Sequence, residues 1–350
     1  MSEPVPAIMQ AVEAVGFGLD QLRIVQRPVP GPRRGEILIR LGAATLNYRD
    51  LALLKGAYRA GLRFEKPFIP ASDACGVVVA LGPEVTRFKP GERVIPVYTQ
   101  GWIDGRPTPE MRAGRTLGFP LDGVLRDYVA VPAEDAVHAP ASLSDLGAAT
   151  LPIAALTAWT TLQAGGLRPG QWVLAMGTGG VALFTLQFAK LAGARVAVIS
   201  SSDEKLARTQ ALGADATVNY RDNPDWAPLI REATDGRGVD IVVETAGTLS
   251  NALKAVAFSG FVGVVGFAGG PLAELDVRQV IEPLIRLQGM APGSRSSFEA
   301  MNRAIAQHGL TPVVDEVFPL ERAADAFARL DSGTHFGKIG INFARKADTG

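Results

Sequence analysis

The sequence is poor in the side chains that form disulfides and bind transition metals. It has one cysteine and three histidines among 350 residues. A single cysteine excludes an internal disulfide framework and any zinc ribbon built on cysteines. Cys75, His138, His308 and His335 are scattered along the chain, with no close ligand spacing between them. We therefore do not expect a metal site made of cysteine or histidine.

The sequence also lacks an excess of charge and any long apolar run. Its 35 Lys and Arg balance its 35 Asp and Glu, so the basic face that a nucleic-acid partner needs is not expected. Residues 1–10 have neither the basic start nor the apolar stretch of a signal peptide, and no run of 18 apolar residues occurs. These absences predict a cytoplasmic protein with no membrane partner.

The first 131 residues have the sequence pattern of an antiparallel β domain. Short apolar runs bounded by proline and glycine, such as Glu36–Leu41, Gly76–Leu81 and Arg93–Tyr98, are typical of its strands. Residues 99–119 are polar, rich in proline and glycine, and show no periodicity. We predict one long loop there, of a length that is often functional or mobile.

From about residue 151 the pattern alternates between strands and helices, which predicts a parallel sheet covered by helices on both faces. The expected strands are Gln171–Met176, Arg195–Ser200, Asp240–Glu244, Phe261–Gly266 and Ile285–Met290, with helices at Gly180–Ala192 and Asp203–Leu212. After Pro292 the texture is mixed again, with a helix at Ser297–His308 and strands at Thr311–Leu320 and Gly337–Phe343. The fold class is therefore α/β, with domains at residues 1–155, 156–292 and a return at 293–350.

A glycine-rich turn stands between the first strand and helix of the second domain. Gly177, Thr178, Gly179, Gly180 and Val181, with Ala182 after them, form the pattern G-x-G-G-x-A. Such glycines permit a tight turn and let the backbone approach a pyrophosphate at the start of the helix. The pattern predicts a dinucleotide site, against the alternative of a glycine-rich turn in an ordinary βα unit.

The end of the next strand favours NADP(H) over NAD(H). An NAD site usually places a carboxylate there to bind both ribose hydroxyls. Here the strand ends in Ser200 and Ser201, whose hydroxyls can accept a 2′-phosphate, and Lys205 can supply positive charge. The alternative is that Ser202 or Asp203 merely caps the following helix and that Lys205 is a solvated residue.

Several segments together resemble the medium-chain dehydrogenase/reductase superfamily, above all its zinc-free quinone oxidoreductase branch and nearby zinc-type alcohol dehydrogenase-like members. They are residues 46–50 (LNYRD), 56–58 (GAY), 76–82 (GVVVALG), 88–94 (FKPGERV), 148–152 (AATLP), 156–159 (LTAW), 212–215 (LGAD), 218–221 (VNYR) and 335–339 (HFGKI), besides the glycine turn. The resemblance implies a GroES-like β-rich catalytic domain joined to a doubly wound Rossmann domain. It further implies a homodimer, often paired through the strand near Ile285–Met290.

The resemblance also allows a prediction about zinc binding. Zinc-dependent members hold a catalytic zinc with Cys, His and Cys at positions that correspond to Asn47, Ser72 and Ile153. Their structural zinc lobe would fall within residues 99–119, which contain no cysteine. None of these positions supplies the expected ligand, so we predict that the protein binds no zinc.

Further cofactor residues follow from the same resemblance. Quinone oxidoreductases hold the 2′-phosphate with a Lys and a Tyr fifteen residues apart, which matches Lys205 and Tyr220. Tyr220 could instead cover the sheet edge. Gly266, at the end of a predicted strand, and Lys338, as a further phosphate ligand, complete the expected cofactor set.

Two catalytic candidates remain when zinc is absent. Asn47 occupies a lost ligand position and could donate a hydrogen bond, or it could simply form a turn. Tyr58 stands where related enoyl reductases carry a proton-donating tyrosine, and a phenol is protonated at neutral pH. It could also pack over the site without taking part in chemistry.

Three residues are expected to line the substrate pocket, namely Tyr48, Asp50 and Trp102. Asp50 could alternatively orient its loop or pair with Arg49. Trp102 and its neighbours could form a lid, an exposed tether or a dimer contact.

The most consistent hypothesis is a zinc-independent, NADPH-dependent oxidoreductase that transfers hydride to a quinone, an enone or another activated double bond of a small molecule. A second hypothesis is an NAD(P)-dependent alcohol or aldehyde dehydrogenase, which would benefit more from a Lewis acid. A third is a catalytically silent nucleotide-binding protein with a regulatory role.

Overall fold

The computed structural model describes residues 4–343, and the chain divides into two compact units. One unit combines Met1–Ile153 with Gly293–Gly350, and the other is Ala154–Pro292. The sequence predicts domain junctions after residues 155 and 292, and the division into compact units lies after residues 153 and 292. Residues 1–3 and 344–350, which we assigned to the catalytic domain, lie outside the described residues.

The first unit begins with seven strands and three short helices. They are β1 Ile8–Ala14, β2 Leu22–Pro28, β3 Glu36–Thr45, α1 Tyr48–Leu54, β4 Asp73–Leu81, β5 Arg93–Pro96, α2 Pro109–Gly114, β6 Tyr128–Pro132, β7 Ala136–His138 and α3 Asp145–Ala149. Single turns of 3₁₀ helix occur at Leu19–Gln21, Ala133–Asp135 and Leu320–Arg322, and a π-helical turn at Leu151–Ala155.

The second unit alternates strands with helices, as the sequence pattern predicts. Its elements are α4 Leu156–Gly165, β8 Trp172–Met176, α5 Gly180–Leu191, β9 Arg195–Ser200, α6 Asp203–Ala211, β10 Ala216–Asn219, α7 Ala227–Ala233, β11 Val239–Glu244, α8 Leu249–Ala255, β12 Val256–Val264, α9 Arg278–Ile281 and β13 Arg286–Gly289. The chain then returns to the first unit with α10 Arg295–His308, β14 Val314–Pro319, α11 Ala323–Asp331 and β15 Lys338–Asn342.

The sheet of the second unit has the order β10-β9-β8-β11-β12-β13, and every neighbouring pair is parallel. The chain builds outward from β8 to β10 and then crosses to β11, so the strand order reverses between β8 and β11. Ligands of doubly wound sheets bind at the carboxyl ends of the strands that flank such a reversal. Apolar side chains of these strands, among them Leu174, Ile199 and Val242, pack with the covering helices in a buried core.

The larger sheet of the first unit has the order β14-β15-β3-β4-β5-β7, with β6 also paired to β3. All its pairs are antiparallel except β14 with β15. Ile37, Ile39 and Leu41 of β3 alternate inward toward a core that includes Val129 and Phe327. The sheet is thus a scaffold that fixes the ends of β3, β4 and β15 beside one another.

The prediction of one structureless loop over residues 99–119 is wrong. The segment contains α2, which is capped by Thr108 and carries Pro109 in its first turn. It also bridges back on itself between Thr99 and Thr116. A helix of six residues is too short to show periodicity in a sequence, although its capping pattern was visible.

Among residues 4–343, no helix has both the length and the apolar character that a membrane span requires.

Candidate active site

Three strand ends of the first unit meet at one place. Thr45, the last residue of β3, pairs with Asp73, the first residue of β4. The backbone N–H of Leu46 donates to the carbonyl of Ile339 in β15 at 3.1 Å. This register brings Lys338, the first residue of β15, beside the chain that leaves β3.

The Lys338 ammonium lies at the centre of a buried polar cluster. Its Nζ donates to the carbonyl oxygen of Leu46 and to Asn47 Oδ1, each at 2.6 Å, and lies 3.7 Å from Asp73 Oδ2. Lys338 is only 3% exposed, and Asp73 is fully buried. Burial lowers the pKa of Lys338, while the Asp73 and Asp50 carboxylates act in the opposite direction.

This position corrects the prediction that Lys338 binds the phosphate of the cofactor. The three protons of the ammonium are directed at two oxygen acceptors and a carboxylate within the same unit. A buried lysine with these partners has no donor left for a phosphate. Its role is therefore internal to the cluster.

Lys338 fixes the orientation of the Asn47 side chain. An ammonium donates hydrogen bonds and cannot accept them, so the Asn47 amide must turn its oxygen toward Lys338. The amide nitrogen Nδ2 then points away, and within the described part of the chain it has no hydrogen-bond partner. Leaving such a buried donor unpaired costs about 1–3 kcal/mol, so its lack of a partner calls for an explanation.

Asp50 holds the start of α1 rather than lining a pocket. Its carboxylate accepts the backbone N–H of Asn47 at 2.9 Å and lies 3.3 Å from Arg49 Nη1. Burial raises the pKa of the Asp50 carboxyl to about 6, against the opposing charge of Arg49, and Asp73 adds to the rise. Of the two hypotheses for this residue, the geometry supports loop orientation with an Arg49 pair.

Arg49 lies between two tyrosine rings. Its guanidinium carbon is 5.4 Å from the ring centre of Tyr58 and 5.0 Å from that of Tyr98, within the range of cation–π contacts. It also donates to the carbonyl of Phe119 at 2.7 Å. Arg49 thereby ties half-buried Tyr58 to the segment that follows α2.

Sequence reasoning missed Tyr98 and the part that Asp73 plays in the cluster. Tyr98 is buried, and burial raises the pKa of its phenol, with Arg49 acting to lower it. The only signal for either residue was its place at the end or the start of an apolar run. Neither position by itself indicates a contact with a residue elsewhere in the chain.

The two aromatic pocket candidates differ in their surroundings. Tyr48 is 41% exposed at the start of α1. Trp102 is 7% exposed, and its indole N–H donates to the carbonyl of Gly105 at 2.9 Å. Its own carbonyl accepts the N–H of Arg295 at 2.9 Å. Trp102 is thus packed within the first unit, and the hypothesis of an exposed tether is wrong.

The residues at the family's zinc positions are hydrogen-bonded to Asp73 or to Lys338. Ser72 Oγ donates to Asp73 Oδ1 at 2.8 Å, and the Ile153 N–H donates to Asp73 Oδ2 at 3.2 Å. Ile153 has no side-chain ligand, and Asn47 Oδ1 faces an ammonium that would repel a cation. Zinc prefers thiolate, imidazole and carboxylate ligands in a tetrahedral set. The residues present do not fit that metal.

In the second unit, the glycine-rich turn lies at the carboxyl end of β8, beside the reversal of strand order. Gly177 adopts φ +85°, a left-handed conformation that favours glycine, and a Cβ there would meet open space. Helix α5 follows, with no capping side chain and no acidic residue in its first turn. Its first N–H groups and positive dipole end can therefore receive phosphate oxygens, so Gly177, Thr178, Gly179, Gly180 and Val181 fit a pyrophosphate.

Gly266 lies just past β12, at the same edge of the sheet. A Cβ at this position would come within 2.7 Å of the Thr245 carbonyl, so the close approach of two backbones requires glycine. Thr245 in turn donates from its hydroxyl to the Met176 carbonyl at 2.7 Å. Gly266 thus keeps the chain close beside the ends of β8 and β11.

The residues chosen for the 2′-phosphate lie at neighbouring strand ends. Ser200 ends β9, and the Tyr220 N–H donates to its carbonyl at 3.0 Å. Ser201 follows directly, and Lys205 lies in the first turn of α6. Tyr220 is 40% exposed, so its ring is not simply buried against the sheet. The parallel pairing of β9 with β10 therefore brings the four residues to one edge.

The carboxylate of Asp203, which follows the serines in the sequence, is held by a residue at the end of β10. Asp203 Oδ1 accepts a hydrogen bond from Asn219 Nδ2 at 2.8 Å. Ser202 caps α6 by accepting the Lys205 N–H at 3.3 Å, as the capping alternative predicts. This cap involves the backbone N–H of Lys205, so it does not determine what the Lys205 side chain binds.

Comparison with known proteins places both units in one family. The family model of the alcohol dehydrogenase GroES-like domain matches residues 33–141, and that of the zinc-binding dehydrogenase matches residues 180–307. A zinc-type alcohol dehydrogenase-like protein of Schizosaccharomyces pombe is 38% identical over 332 residues, covering 92% of this chain and 95% of its own.

Two further similar proteins indicate the range of activities among the relatives of this chain. The chloroplastic quinone-oxidoreductase QR1 of Triphysaria versicolor is 30% identical over 346 residues, covering 95% of this chain and 98% of its own. The solved structure of the 2-octenoyl-CoA carboxylase reductase CinF, in complex with NADP and 2-octenoyl-CoA, is 26% identical with a TM-score of 0.83. That match covers 99% of this chain and 90% of CinF.

We predict a pH-dependent effect of Asp50 on stability. Because its folded pKa, about 6, exceeds the unfolded value of about 3.9, the folded state binds this proton more tightly. The stabilisation is complete below the unfolded pKa and is lost as pH rises toward 6. The free energy of unfolding of the native protein minus that of Asp50→Asn should therefore fall by at most about 1.4 kcal/mol per pH unit up to pH 6 and then level off.

Denaturant titrations of the full chain between pH 4.5 and 7.5 measure this difference. Asp276→Asn is a control whose difference should stay flat over this range, because hydrogen bonds from Arg278 lower the pKa of Asp276 and place its titration below the range. A difference for Asp50→Asn that rises with pH over this range would contradict the raised pKa of Asp50.

Proposed function

Because the chain belongs to the medium-chain dehydrogenase/reductase superfamily of NAD(P)-dependent oxidoreductases, we propose that it reduces an activated double bond or a quinone without zinc. The observation that carries this proposal is the Asn47 amide, whose oxygen is held by Lys338 and whose nitrogen has no hydrogen-bond partner among the described residues. The substrate is a small molecule in which a carbonyl is conjugated to a C=C bond, as in an enone, an enoyl thioester or a quinone.

The chemistry needs a donor for the substrate oxygen. The reduced nicotinamide, when bound, supplies a hydride to the β carbon of the substrate. The C=C electron pair then moves toward the carbonyl, and negative charge develops on its oxygen. Asn47 Nδ2 would donate a hydrogen bond to that oxygen, which stabilises an enolate as an oxyanion-hole donor does.

To complete the reduction, a proton must then reach the α carbon of the enolate, or an oxygen of the anion formed from a quinone. We assign this step to Tyr58, whose hydroxyl lies at the guanidinium of Arg49. Arg49 can only donate, so the phenol oxygen accepts from it and keeps its own proton for transfer. The cation also stabilises the phenolate that remains after the transfer, until solvent reprotonates it.

The same donor set disfavours a saturated alcohol or aldehyde as substrate. An alkoxide keeps its charge on a single oxygen, and its formation benefits from a Lewis acid worth several kcal/mol. A single neutral amide N–H stabilises negative charge on the substrate less than a metal ion does. It is sufficient more readily where conjugation spreads that charge over several atoms. The zinc-type name of the Schizosaccharomyces pombe relative describes that protein, and the donors at Asn47, Ser72 and Ile153 do not support its transfer to this chain.

Substrate profiling and a variant of Asn47 test this proposal together. With NADPH, enones and quinones should turn over well, and saturated aldehydes should not. Asn47→Asp keeps the size and the acceptor that Lys338 needs but has no amide donor. It should lower the rate constant of hydride transfer to an enone by about 10²–10³, the usual cost of one oxyanion donor.

Asn251→Asp on α8 is the matched control and should leave turnover unchanged. Single-turnover loss of NADPH absorbance measures the rate directly. Undiminished hydride transfer in folded Asn47→Asp, or turnover of saturated aldehydes alone, would contradict the proposal.

We further propose that NADPH is preferred over NADH. Lys205 and Tyr220 would hold the 2′-phosphate with the hydroxyls of Ser200 and Ser201. The support is their position at one sheet edge, together with the hydrogen bond from Asn219 that already occupies one oxygen of the Asp203 carboxylate. NADP bound to CinF is a property of that relative and is compatible with this assignment.

Replacing Lys205 should affect the affinities for NADPH and NADH differently. Lys205→Ala removes a charge-assisted hydrogen bond to phosphate, so the Kd for NADPH should rise about tenfold and the Kd for NADH should hardly change. Tyr220→Phe should act in the same direction. Lys254→Ala, an exposed lysine on α8, is the control. Fluorescence titration gives both constants, and equal losses for both cofactors would contradict a phosphate contact.

We also propose a homodimer that pairs β13 with its copy. Strand β13 is an edge of the parallel sheet, and exposed apolar side chains surround it. These are Phe258 (69% exposed), Ile281 (65%), Leu284 (58%) and Leu287 (38%). An exposed edge with such neighbours is a template for pairing unless it is covered.

Light scattering after size exclusion should give twice the chain mass of 36.9 kDa. Leu287→Lys places a charge on the proposed seam and should shift the protein to the single-chain mass. Ile24→Lys, at an exposed apolar site of β2, should not. A single-chain mass for the native protein would rule out this dimer.

A further inference from the structure

The orientation of the Asn47 amide depends on a residue that lies 291 positions away in the sequence. Lys338 Nζ to Asn47 Oδ1 is a hydrogen bond of 2.6 Å between two buried side chains. The second bond of the ammonium, to the Leu46 carbonyl, anchors it to the residue just before Asn47. Asp73 compensates the charge of the ammonium from 3.7 Å.

Lys338 donates the hydrogen bond that Asn47 Oδ1 accepts, and the start of α1 favours the same orientation. Asp50 accepts the backbone N–H of Asn47 at its carboxylate, and the backbone N–H of Asp50 faces the Asn47 side chain as the second half of a capping box. Ser72 Oγ and the Ile153 N–H both donate to Asp73. If the Asn47 amide turned over, its NH₂ would face the ammonium as donor against donor, and Oδ1 would take the place of the free donor Nδ2.

We infer that Lys338 is a positioning residue for the reduction, which holds Asn47 so that the amide nitrogen faces the substrate oxygen. This inference rests on the proposed function. It assigns to Lys338 a role that differs from binding the cofactor or from stabilising the fold as a buried ion pair with Asp73. A side chain able to accept as well as donate should weaken the selection of one amide orientation.

A double-mutant cycle separates positioning from plain stabilisation. Lys338→Gln can accept from an amide, so in the Asn47 protein it should lower the single-turnover rate of hydride transfer to an enone about 10- to 100-fold. In an Asn47→Ala background the same change should lower the rate less than about threefold, because no amide remains to be held. The KM for NADPH should stay the same throughout.

Lys338→Arg is the conservative variant, because a guanidinium also donates and cannot accept. It should retain the rate within about tenfold of the native protein if it folds, as judged by its thermal midpoint, and it keeps the inference testable if Lys338→Gln does not fold. Lys55→Gln is the matched control, since Lys55 forms an exposed ion pair with Asp331 in the same unit. It should change the rate in neither background.

The outcomes are distinguishable. Equal losses from Lys338→Gln in the Asn47 and Asn47→Ala backgrounds would overturn the positioning role and leave the proposed function standing. A larger loss than tenfold in folded Lys338→Arg would overturn it as well. An Asn47→Ala protein that transfers hydride at the native rate would overturn the proposed function itself, and the positioning role with it.

Discussion

A buried ammonium imposes the main constraint on the first unit. Taking the charge of Lys338 out of water is costly unless the protein supplies a carboxylate and hydrogen-bond acceptors. Asp73, the Leu46 carbonyl and Asn47 Oδ1 meet that requirement. The register of β3, β4 and β15 has to be kept to within one residue for these groups to meet, because a slip by one would send each side chain to the opposite face of the sheet.

The second unit depends on a constraint of the backbone rather than of charge. Its parallel strands end at one edge, and the reversal of strand order leaves room there between β8 and β11. Gly177 turns the chain sharply into α5, and Gly266 allows a close approach beside Thr245. In the proposed reaction, the two units therefore supply different chemical groups. One offers amide and dipole contacts for a dinucleotide, and the other offers a donor whose orientation is fixed by charge.

Much of the fold of the second unit could be predicted from the sequence, because the patterns that indicate its strands, helices and glycine turn are local. The parallel sheet followed from alternating strand and helix patterns, and β9 has the bounds that its apolar run predicts. The glycine turn was readable since its spacing and its flanking elements lie within thirty residues of one another. Helix α2 was missed because six residues show no period, and the early start of β12 was missed because Val256–Gly260 contains serine and glycine.

The core of the candidate site was not predictable in the same way. Lys338 and Asn47 are both visible as polar residues, but nothing in the local sequence of either indicates the other. Their contact is created by the pairing of β15 with β3, which joins the two ends of the chain. Trp102 was misjudged for a related reason, since its backbone partner, Arg295, comes from the returning segment after the second unit. The contact with Lys338 also sets which atom of the Asn47 amide is left without a hydrogen-bond partner among residues 4–343.

We propose above that the site reduces its substrate with an amide donor in place of zinc. The most direct test measures the zinc content of purified, active protein by mass spectrometry and follows enone reduction by NADPH before and after prolonged incubation with a chelator. We expect far less than one zinc per chain and an unchanged rate. One zinc per chain, together with a rate that the chelator abolishes and added zinc restores, would contradict it.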